Sequence, residues 1–432
     1  MNQTTIGKYR WTICTLVFFA TTINYLDRQV ISLVKEDLDK QFSWTKSDYA
    51  NITAVFQLAY ALGMFFVGRL IDKLGTKMGY AISLLLWSIA AMGHALVNST
   101  GGFMIARAAL GITEAGNFPA AIKTIAEWFP KKERAFATGI FNSGTNIGAI
   151  IAPLTVPFIA VAWGWKWAFV ITGAIGLIWL LFWFFMYEIP SKHKRLGKAE
   201  FDHIHSDQED NVTEPVVKEK VPWGKLLQFR QTWAFALGKF LTDGVWWFYL
   251  FWLPDFLNEG YGLTKTQIAI PVALVYTIAA VGSVFGGWLP LNFISRGWAV
   301  FKARKTSMII YAFCALPVVT AQLFGGTNMW YAVCIIGFAA AAHQAWSANI
   351  FTTVSDMFPK KAVGSITGIG GMAGGLGGML ISKSAGWMFD YYKGLGEIET
   401  GYMIMFIFCG LAYLLAWTIM HYLVPTMKMV KL

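Results

Sequence analysis

Four ionisable residues lie within strongly apolar stretches of this sequence, where they could carry protons and bind an anion. Asp27 and Arg28 are adjacent in the first apolar stretch, and Arg107 and Glu114 are seven residues apart in the fourth. A charged side chain near the centre of a bilayer costs at least ~2.5–3.5 kcal/mol on insertion scales, so each of these residues needs a functional or structural reason. Because a guanidinium group can bind a carboxylate through two hydrogen bonds, Arg28 and Arg107 are candidates for binding an organic anion.

Glu114 is predicted to be the principal proton-carrying group, with Asp27 as a second one. Burial favours the neutral form of a carboxyl group, whereas a nearby cation favours the ionised form, so a carboxyl between these influences can take up and release a proton. Residues seven apart lie on one helix face, so Arg107 is expected to be the partner that Glu114 releases on protonation. The structural alternatives are a permanent Glu114–Arg107 pair and an interfacial pair of Asp27 with Arg28 or Lys35.

A second set of polar residues lies in the other apolar stretches. Lys239 and Asp243 are spaced i,i+4, so they either neutralise each other or leave Lys239 to attract an anion. His343 could titrate near neutral pH, although a histidine in a helix is also commonly a hydrogen-bonded core residue. Amide, hydroxyl and indole groups could recognise a sugar, but they could equally bond one helix to another. The candidates of this kind are Tyr25, Gln57, Tyr60, Asn146, Gln344 and Trp346.

The elements that position these residues are predicted to be membrane-spanning helices. Of the 432 residues, 56% are hydrophobic and 14% are charged, whereas soluble domains contain about 25% charged residues. Apolar runs long enough to cross a bilayer, roughly 20 residues each, recur along the whole chain. We predict an all-α integral membrane protein with twelve spans, at 11–34, 49–70, 78–97, 101–126, 135–159, 166–188, 231–257, 266–294, 306–325, 328–356, 363–389 and 401–424.

The basic residues indicate how the chain is oriented. Lys and Arg concentrate in the loops that follow even-numbered spans and at both ends of the chain, which predicts that these loops and both termini are cytoplasmic. The net charge of +11 is therefore distributed over loops, and we expect no nucleic-acid partner. The first span is too long for a cleaved signal peptide and is expected to be retained.

The sequence gives no sign of a metal or redox site. Cys14, Cys314, Cys334 and Cys409 lie inside predicted helices without CxxC spacing, which indicates packing roles. There is no HExxH motif and no cluster of His and Cys. We expect no metal and no cofactor.

An internal repeat divides the chain into halves. The segment 127–132, EWFPKK, is matched 229 positions later by 356–361, DMFPKK, and the same offset relates Glu114 to His343. Six predicted spans precede the mixed-charge stretch in the middle of the chain and six follow it, as expected for a duplicated transporter with its site between the halves. The predicted divisions are an N-terminal six-helix bundle at 1–188, a cytoplasmic linker at 189–230, with a short helix near 197–208, and a C-terminal six-helix bundle at 231–432.

The loop after the second span resembles a family signature. Residues 68–77, GRLIDKLGTK, are similar to the G-x-L-x-D-x-x-G-[RK]-[RK] motif of the major facilitator superfamily, with Thr76 in place of a basic residue. The resemblance implies the major facilitator fold. It also implies that Asp72, Arg69 and Lys77 form a cytoplasmic gate between helices; the alternative is a turn with a helix cap.

Over nearly its full length, the chain looks like a member of the anion:cation symporter branch of this superfamily. The similarity is carried by 24–28, NYLDR, by 106–115, ARAALGITEA, and by 148–153, GAIIAP. Residues 342–346, AHQAW, look most like those of bacterial hexuronate transporters. The resemblance implies an acidic proton-coupling residue and basic residues at the positions of Glu114 and its neighbours.

These observations predict a proton-coupled symporter that imports a sugar-acid anion by alternating access. The expected substrate is a hexuronate such as glucuronate or galacturonate; another sugar acid such as galactonate or glucarate is the alternative, and sodium coupling is less favoured. A membrane-embedded enzyme or a sensor is the alternative of another class, and no catalytic motif supports an enzyme. We expect a monomer in the cytoplasmic (inner) membrane of a bacterium, in contact with lipid.

Overall fold

The computed structural model describes residues 6–206, 222–426 and 428–430, without the side chains at positions 72, 131, 132, 135, 360 and 361. The described residues form α-helices and short 3₁₀ turns, and no strand occurs among them. They include long helical segments, which we number α1 to α12 in chain order. The segments are α1 (Tyr9–Leu33), α2 (Lys46–Leu74), α3 (Thr76–Gly93), α4 (Thr100–Glu114 and Asn117–Trp128), α5 (Lys131–Trp163), α6 (Trp165–Met186), α7 (Arg230–Tyr261), α8 (Ala269–Ser295), α9 (Val300–Ala315, Leu316–Thr320 and Ala321–Gly325), α10 (Met329–Met357), α11 (Lys360–Gly394) and α12 (Ile398–Leu423). Two of these segments, α4 and α9, consist of two or three shorter helices that follow one another directly or after a two-residue break.

Short helices connect some of these segments. Lys35–Phe42 joins α1 to α2, His94–Leu96 follows α3, and Pro190–Lys192 follows α6. The helix predicted near 197–208 is confirmed as Lys198–His205, and Trp223–Leu226 precedes α7. The remainder of the predicted linker, positions 207–221, lies outside the described residues.

Eight of the described helices are long and apolar enough to cross a membrane on length and composition alone. The segments α1, α4, α7 and α10 are not among these eight. They contain the ionisable candidates for proton and anion binding, including Asp27, Glu114, Lys239 and His343, whereas Gln57 and Tyr60 lie in α2 and Asn146 lies in α5. Polar side chains lower the mean hydropathy of a helix, and such residues are expected to face the interior of a bundle rather than lipid. The four less apolar helices therefore carry the ionisable residues of the candidate site.

The backbone repeats the 229-residue offset found in the sequence. Phe129 and Phe358 are the extended residues that end α4 and α10, with φ/ψ of −126°/137° and −124°/143°. Pro130 and Pro359 then begin α5 and α11, with φ/ψ of −63°/154° and −63°/151°. Since a proline at this point fixes φ near −65° and cannot continue the preceding helix, the same turn forms twice.

Glycines in α5 bring this helix close to α1, which carries the first candidate residues. A Cβ added at Gly148 would lie 2.4 Å from the Thr22 carbonyl oxygen and 2.8 Å from the Tyr25 Cβ. A Cβ at Gly144 would lie 2.6 Å from the Phe18 carbonyl oxygen. Because these neighbours are mainly backbone atoms, neither position can accept a larger residue without separating the helices.

Gly148→Ala is therefore expected to destabilise the protein and to reduce transport. The extra methyl group should cost about 1–3 kcal/mol of stability, as overpacking in a dense interior does. Thermal unfolding of the purified protein measures the change. The matched control is Gly139→Ala in the same helix, where an added Cβ meets no atom within 4 Å. If both variants unfold at the temperature of the parent protein, the close α1–α5 contact is not a structural requirement.

Candidate functional site

Arg28 of α1 and Glu114 of α4 form a buried ion pair. Arg28 Nε and Nη2 both donate to Glu114 Oε2, at 3.0 and 2.9 Å, and Nη2 also donates to Asn24 Oδ1 at 3.2 Å. The two charged residues are 2% and 0% exposed. Among the described residues, no hydrogen bond reaches Glu114 Oε1. One carboxylate oxygen thus holds the cation, and the other has no partner in this part of the chain.

The position of Glu114 follows from the local packing of α4. The first piece of this helix ends at Glu114 and the second begins at Asn117. A Cβ added at Gly111 would lie 2.4 Å from the Phe56 carbonyl oxygen of α2, and one at Gly116 would lie 2.3 Å from Ser83 Oγ of α3. These two glycines allow α4 to pack closely against α2 and α3, with Glu114 between them.

Four aromatic rings surround the Arg28 guanidinium group. The guanidinium carbon lies 4.6 Å from the ring centroid of Tyr25, 4.9 Å from that of Tyr60, 5.0 Å from that of Trp247 and 5.4 Å from that of Phe56. A cation over an aromatic face within about 6 Å is stabilised by the ring quadrupole, particularly when it is shielded from water. Trp247 belongs to α7, whereas the other rings belong to α1 and α2, so the surroundings of Arg28 include both the first and the last six helices.

The expected pairing of Glu114 with Arg107 is wrong in this structure. Arg107 donates from Nη2 to the Arg28 carbonyl oxygen at 3.2 Å, and its Nε and Nη1 have no hydrogen-bond partner in the described residues. Seven residues of α-helix span about 10.5 Å at 1.5 Å per residue, so Arg107 and Glu114 share a face but are two turns apart. Arg28 is closer to Glu114 than Arg107 is, because it reaches Glu114 from α1, a neighbouring helix. Arg107 is consequently a buried cation with free donors, which an anion could bind.

Asp27 precedes Arg28 but does not share its contacts. It is 1% exposed, and within the described ranges neither of its oxygens has a hydrogen bond. Trp87 and Thr172 are among its neighbours. Consecutive helical residues point about 100° apart, which explains the different surroundings. The interfacial pair of Asp27 with Arg28 or Lys35, the structural alternative considered for it, is not found among the described residues.

The pair predicted in α7 is present. Lys239 Nζ lies 2.6 Å from Asp243 Oδ2, and the same ammonium group lies 4.2 Å from the ring centroid of Phe351 in α10. The side chains of the pair are 6% and 19% exposed. Lys239 is therefore partly neutralised in place, which is the first of the two alternatives stated above.

His343 has the contacts of a packed core residue. Its Nδ1 lies 2.8 Å from the Tyr413 hydroxyl, and its ring stacks on Trp246 at 5.0 Å between centroids. Trp346 is fully buried and meets Tyr413 edge to face at 5.7 Å. These contacts lie within α7, α10 and α12, away from the partners of Glu114. The equivalence of His343 and Glu114 in the repeat does not extend to their contacts.

Two hydrogen bonds made by candidate amide side chains join the first six helices to the last six. Gln57 Nε2 of α2 donates to Ser382 Oγ of α11 at 3.0 Å, and Gln344 Nε2 of α10 donates to Asn146 Oδ1 of α5 at 3.2 Å. In this structure these residues therefore make interhelical bonds, the structural alternative considered for them. Tyr25 and Tyr60 are the candidates that lie directly at Arg28.

The predicted gate residues lie where α2 ends and α3 begins. Arg69 is exposed and its guanidinium lies 5.7 Å from the Phe65 ring, while Lys77 Nζ pairs with Glu188 Oε2 at 2.9 Å. The side chain of Asp72 lies outside the described residues. Thr76, the departure from the family signature, donates to Glu127 Oε1 at 2.6 Å.

Sequence reasoning missed several residues of the site. Asn24, Phe56 and Trp247 contact Arg28 but were not assigned to the site. One available signal was the i,i+4 spacing of Phe56 and Tyr60, which places both rings on one face of α2. No local signal relates Trp247 to residues more than 180 positions earlier.

Comparison with known proteins supports the membrane-transport interpretation. The Major Facilitator Superfamily model matches residues 17–382. The hexuronate transporter of Escherichia coli strain K12 is 32% identical over 416 residues, which cover 96% of this chain and 95% of that protein. The galacturonate transporter of Dickeya chrysanthemi is 37% identical over 288 residues, which cover 67% of this chain and 83% of the relative.

A solved structure gives the same result for the fold. A bacterial homologue of the human lysosomal transporter Spinster, in an inward-facing and unoccupied conformation, matches with a TM-score of 0.78 at 19% identity, and the match covers 98% of both chains. At this identity the likeness concerns the fold alone. The match to the family model extends over most of the sequence and includes the Arg28 and Glu114 site. The chain belongs to the major facilitator superfamily, and it is a multi-pass membrane transporter rather than an enzyme.

Proposed function

We propose that this protein is a proton-coupled symporter that imports a sugar-acid anion, a hexuronate such as glucuronate or galacturonate, by alternating access. The observation that carries the proposal is the buried Arg28–Glu114 pair, in which a cation suited to a carboxylate is held by a carboxyl group suited to a proton. The names and lengths of the matching relatives support the choice of substrate. Galactonate and glucarate remain the alternative substrates.

In the proposed cycle, proton binding and anion binding depend on each other. When Glu114 takes up a proton, its negative charge disappears and the Arg28 guanidinium is released to bind the substrate carboxylate. The Nε and Nη1 donors of Arg107, which have no hydrogen-bond partner among the described residues, supply a second point of attachment. Tyr25 and Tyr60, whose rings lie 4.6 and 4.9 Å from the Arg28 guanidinium carbon, would bind hydroxyl groups of the sugar. When the anion leaves on the other side, Arg28 attracts Glu114 again and favours loss of the proton.

Asp27 is proposed as the second proton site. A buried ionised carboxyl group without hydrogen bonds is costly, and proton uptake removes this cost. Asp27 has no hydrogen bond within the described residues, and it adjoins the residue that binds the anion. Protons are thus the proposed coupling ion, and the cycle has no step that needs a metal or another cofactor.

The proposed setting is the cytoplasmic membrane of a bacterium, with both termini in the cytoplasm. The concentration of Lys and Arg in alternate loops supports this orientation. We propose that a monomer in lipid is the working unit and that nucleic acid has no part in it.

The proposal is tested with purified protein in liposomes. An inward proton gradient should drive accumulation of radiolabelled glucuronate or galacturonate, and adding substrate should make the external medium more alkaline. Unlabelled hexuronates should compete better than galactonate, glucarate or neutral glucose, and a sodium gradient alone should drive no uptake. Accumulation that requires sodium would overturn the coupling assignment, and stronger competition by galactonate or glucarate would overturn the substrate assignment.

A further inference from the structure

A buried ionic cluster lies at the end of the bundle where α1 ends and α2 begins. The basic loop after α2 and the basic N-terminal residues lie at the opposite ends of these two helices. It is centred on Asp255 of α7, which is 5% exposed. Lys46 Nζ donates to both carboxylate oxygens of Asp255, at 2.7 and 2.9 Å, and Lys35 Nζ lies 2.9 Å from Oδ1. The Tyr402 hydroxyl donates to Oδ2 at 2.5 Å. We call these residues, with Glu259, the Asp255 cluster.

The cluster joins the first six helices to the last six. Lys35 begins the short helix before α2, and Lys46 is the first residue of α2, whereas Asp255 belongs to α7. Lys46 also pairs with Glu259 at 2.7 Å, and Glu259 in turn pairs with Lys393 of α11 at 2.9 Å. Lys46 is thus neutralised by two carboxylates of the second group, whereas Lys35 pairs both with Asp255 of the second group and with Asp39 of its own short helix.

The backbone of α2 is held across the same boundary. The backbone N–H groups of Lys46 and Ser47 donate to Asp390 of α11 at 2.8 and 2.7 Å. The first N–H groups of a helix have no partner within it, and the helix dipole favours a negative charge there. The Tyr49 hydroxyl also donates to the Phe251 carbonyl oxygen of α7 at 2.8 Å.

The helices that carry these groups approach closely at this end. A Cβ added at Gly386 of α11 would lie 2.3 Å from the Ala50 Cβ and 2.8 Å from the Lys46 carbonyl oxygen. At the opposite ends of the same two helices, a Cβ added at Gly68 or Gly364 would meet no atom within 4 Å. The boundary is therefore tightly packed at the end that holds the Asp255 cluster.

We propose that the Asp255 cluster is an ionic lock that holds this end of the transporter closed. Separating the two groups of helices here would strip Lys35 and Lys46 of Asp255 and would strip the start of α2 of Asp390. Lys35, Lys46 and Asp255 are buried while the end is closed, and Asp390 is half-buried, so opening requires water to replace the contacts that cross the boundary. The lock acts on the conformational equilibrium and does not depend on the identity of the substrate.

The test measures access to a buried position behind the cluster. Ser382 of α11 is fully buried, lies on the boundary, and accepts a hydrogen bond from Gln57. Ser382→Cys is introduced after Cys14, Cys314, Cys334 and Cys409 have been replaced by serine, and intact cells are treated with a charged, membrane-impermeant maleimide. Labelling then reports opening toward the outside, without any substrate.

Asp255→Asn is expected to raise the labelling rate roughly tenfold or more, because it leaves two buried lysines without their shared counter-charge. Lys46→Gln should raise it as well, by a smaller factor, since Lys35 and Tyr402 still bind Asp255. The matched control is Glu36→Gln, which removes an acidic group at the same end. Glu36 pairs with Lys40 in its own short helix at 2.6 Å and makes no ion pair across the boundary.

Faster labelling in Asp255→Asn and Lys46→Gln, with Glu36→Gln at the parent rate, supports the lock. Parent-like rates in both cluster variants would overturn it, and so would an equal increase in Glu36→Gln, because the effect would then be one of general charge loss. Should Asp255→Asn fail to fold, Lys46→Gln decides the question alone. Since no substrate is present, these outcomes are independent of the proposed hexuronate transport.

Discussion

Glu114→Gln is expected to abolish proton-driven accumulation of the sugar acid while leaving exchange of substrate across the membrane intact. Glutamine has nearly the shape of glutamate and retains an oxygen for Arg28, but it cannot bind and release a proton. A tenfold proton gradient corresponds to about 1.4 kcal/mol and can support up to about tenfold accumulation per coupled proton. In the variant the accumulation ratio should remain near one, measured by uptake into liposomes with and without the gradient.

Counterflow separates this result from a general loss of activity. Liposomes preloaded with unlabelled substrate should still take up labelled substrate through Glu114→Gln, because anion exchange needs no net proton movement. Glu36→Gln, which alters an ion pair confined to a short helix, serves as the matched control and should accumulate substrate as the parent does. Accumulation against the gradient by Glu114→Gln would show that another group couples the proton.

Arg28→Lys is expected to weaken substrate binding by about two orders of magnitude. Lysine keeps the positive charge near Glu114, but it lacks the planar fork that binds a carboxylate with two hydrogen bonds and the flat face that lies against four rings. Removing one member of a buried charged contact typically costs about 3–5 kcal/mol, which corresponds to a factor of about 10² to nearly 10⁴, and the charge that lysine retains places the expected loss at the lower end. Calorimetric titration of the purified protein with glucuronate measures the change in affinity.

Two comparisons locate this effect at Arg28. Arg296→Lys, at an exposed position after α8, should bind substrate with the affinity of the parent protein. Arg107→Lys should weaken binding less than Arg28→Lys does, since Arg107 is proposed as the secondary attachment point. A larger loss in Arg107→Lys would mean that the substrate carboxylate is held chiefly by Arg107. The thermal stability of each variant without ligand shows whether an affinity change reflects misfolding.

The sequence predicted the helical architecture because hydropathy is a local property. A run of apolar residues reveals a spanning helix regardless of what surrounds it. Pro130 and Pro359 separate one helix from the next at equivalent places in the two repeats. Glu114 and Arg28 could also be recognised from sequence, since a charge inside an apolar run stands out by itself.

The partners of these charges could not be predicted in the same way. Helical spacing favoured Arg107 as the partner of Glu114 because both lie on one helix face. The two residues are nevertheless two turns apart along that face, whereas Arg28 reaches Glu114 from a neighbouring helix. Likewise, Lys46 and Asp255 looked like ordinary charges near helix ends, and only their meeting across the boundary shows that both are buried.

The sequence by itself determined the kind of protein this is: a membrane transporter with a duplicated plan and with ionisable groups at defined places along its helices. The tertiary structure alone decided that Arg28 binds Glu114 among four rings, that Nε and Nη1 of Arg107 have no partner among the described residues, and that Lys46 of one group of helices pairs with carboxylates of the other. The physical reason is that the hydropathy and the helical periodicity of a segment are set by neighbouring residues in the sequence. Charge pairing depends instead on how distant helices pack, and no local pattern records that packing.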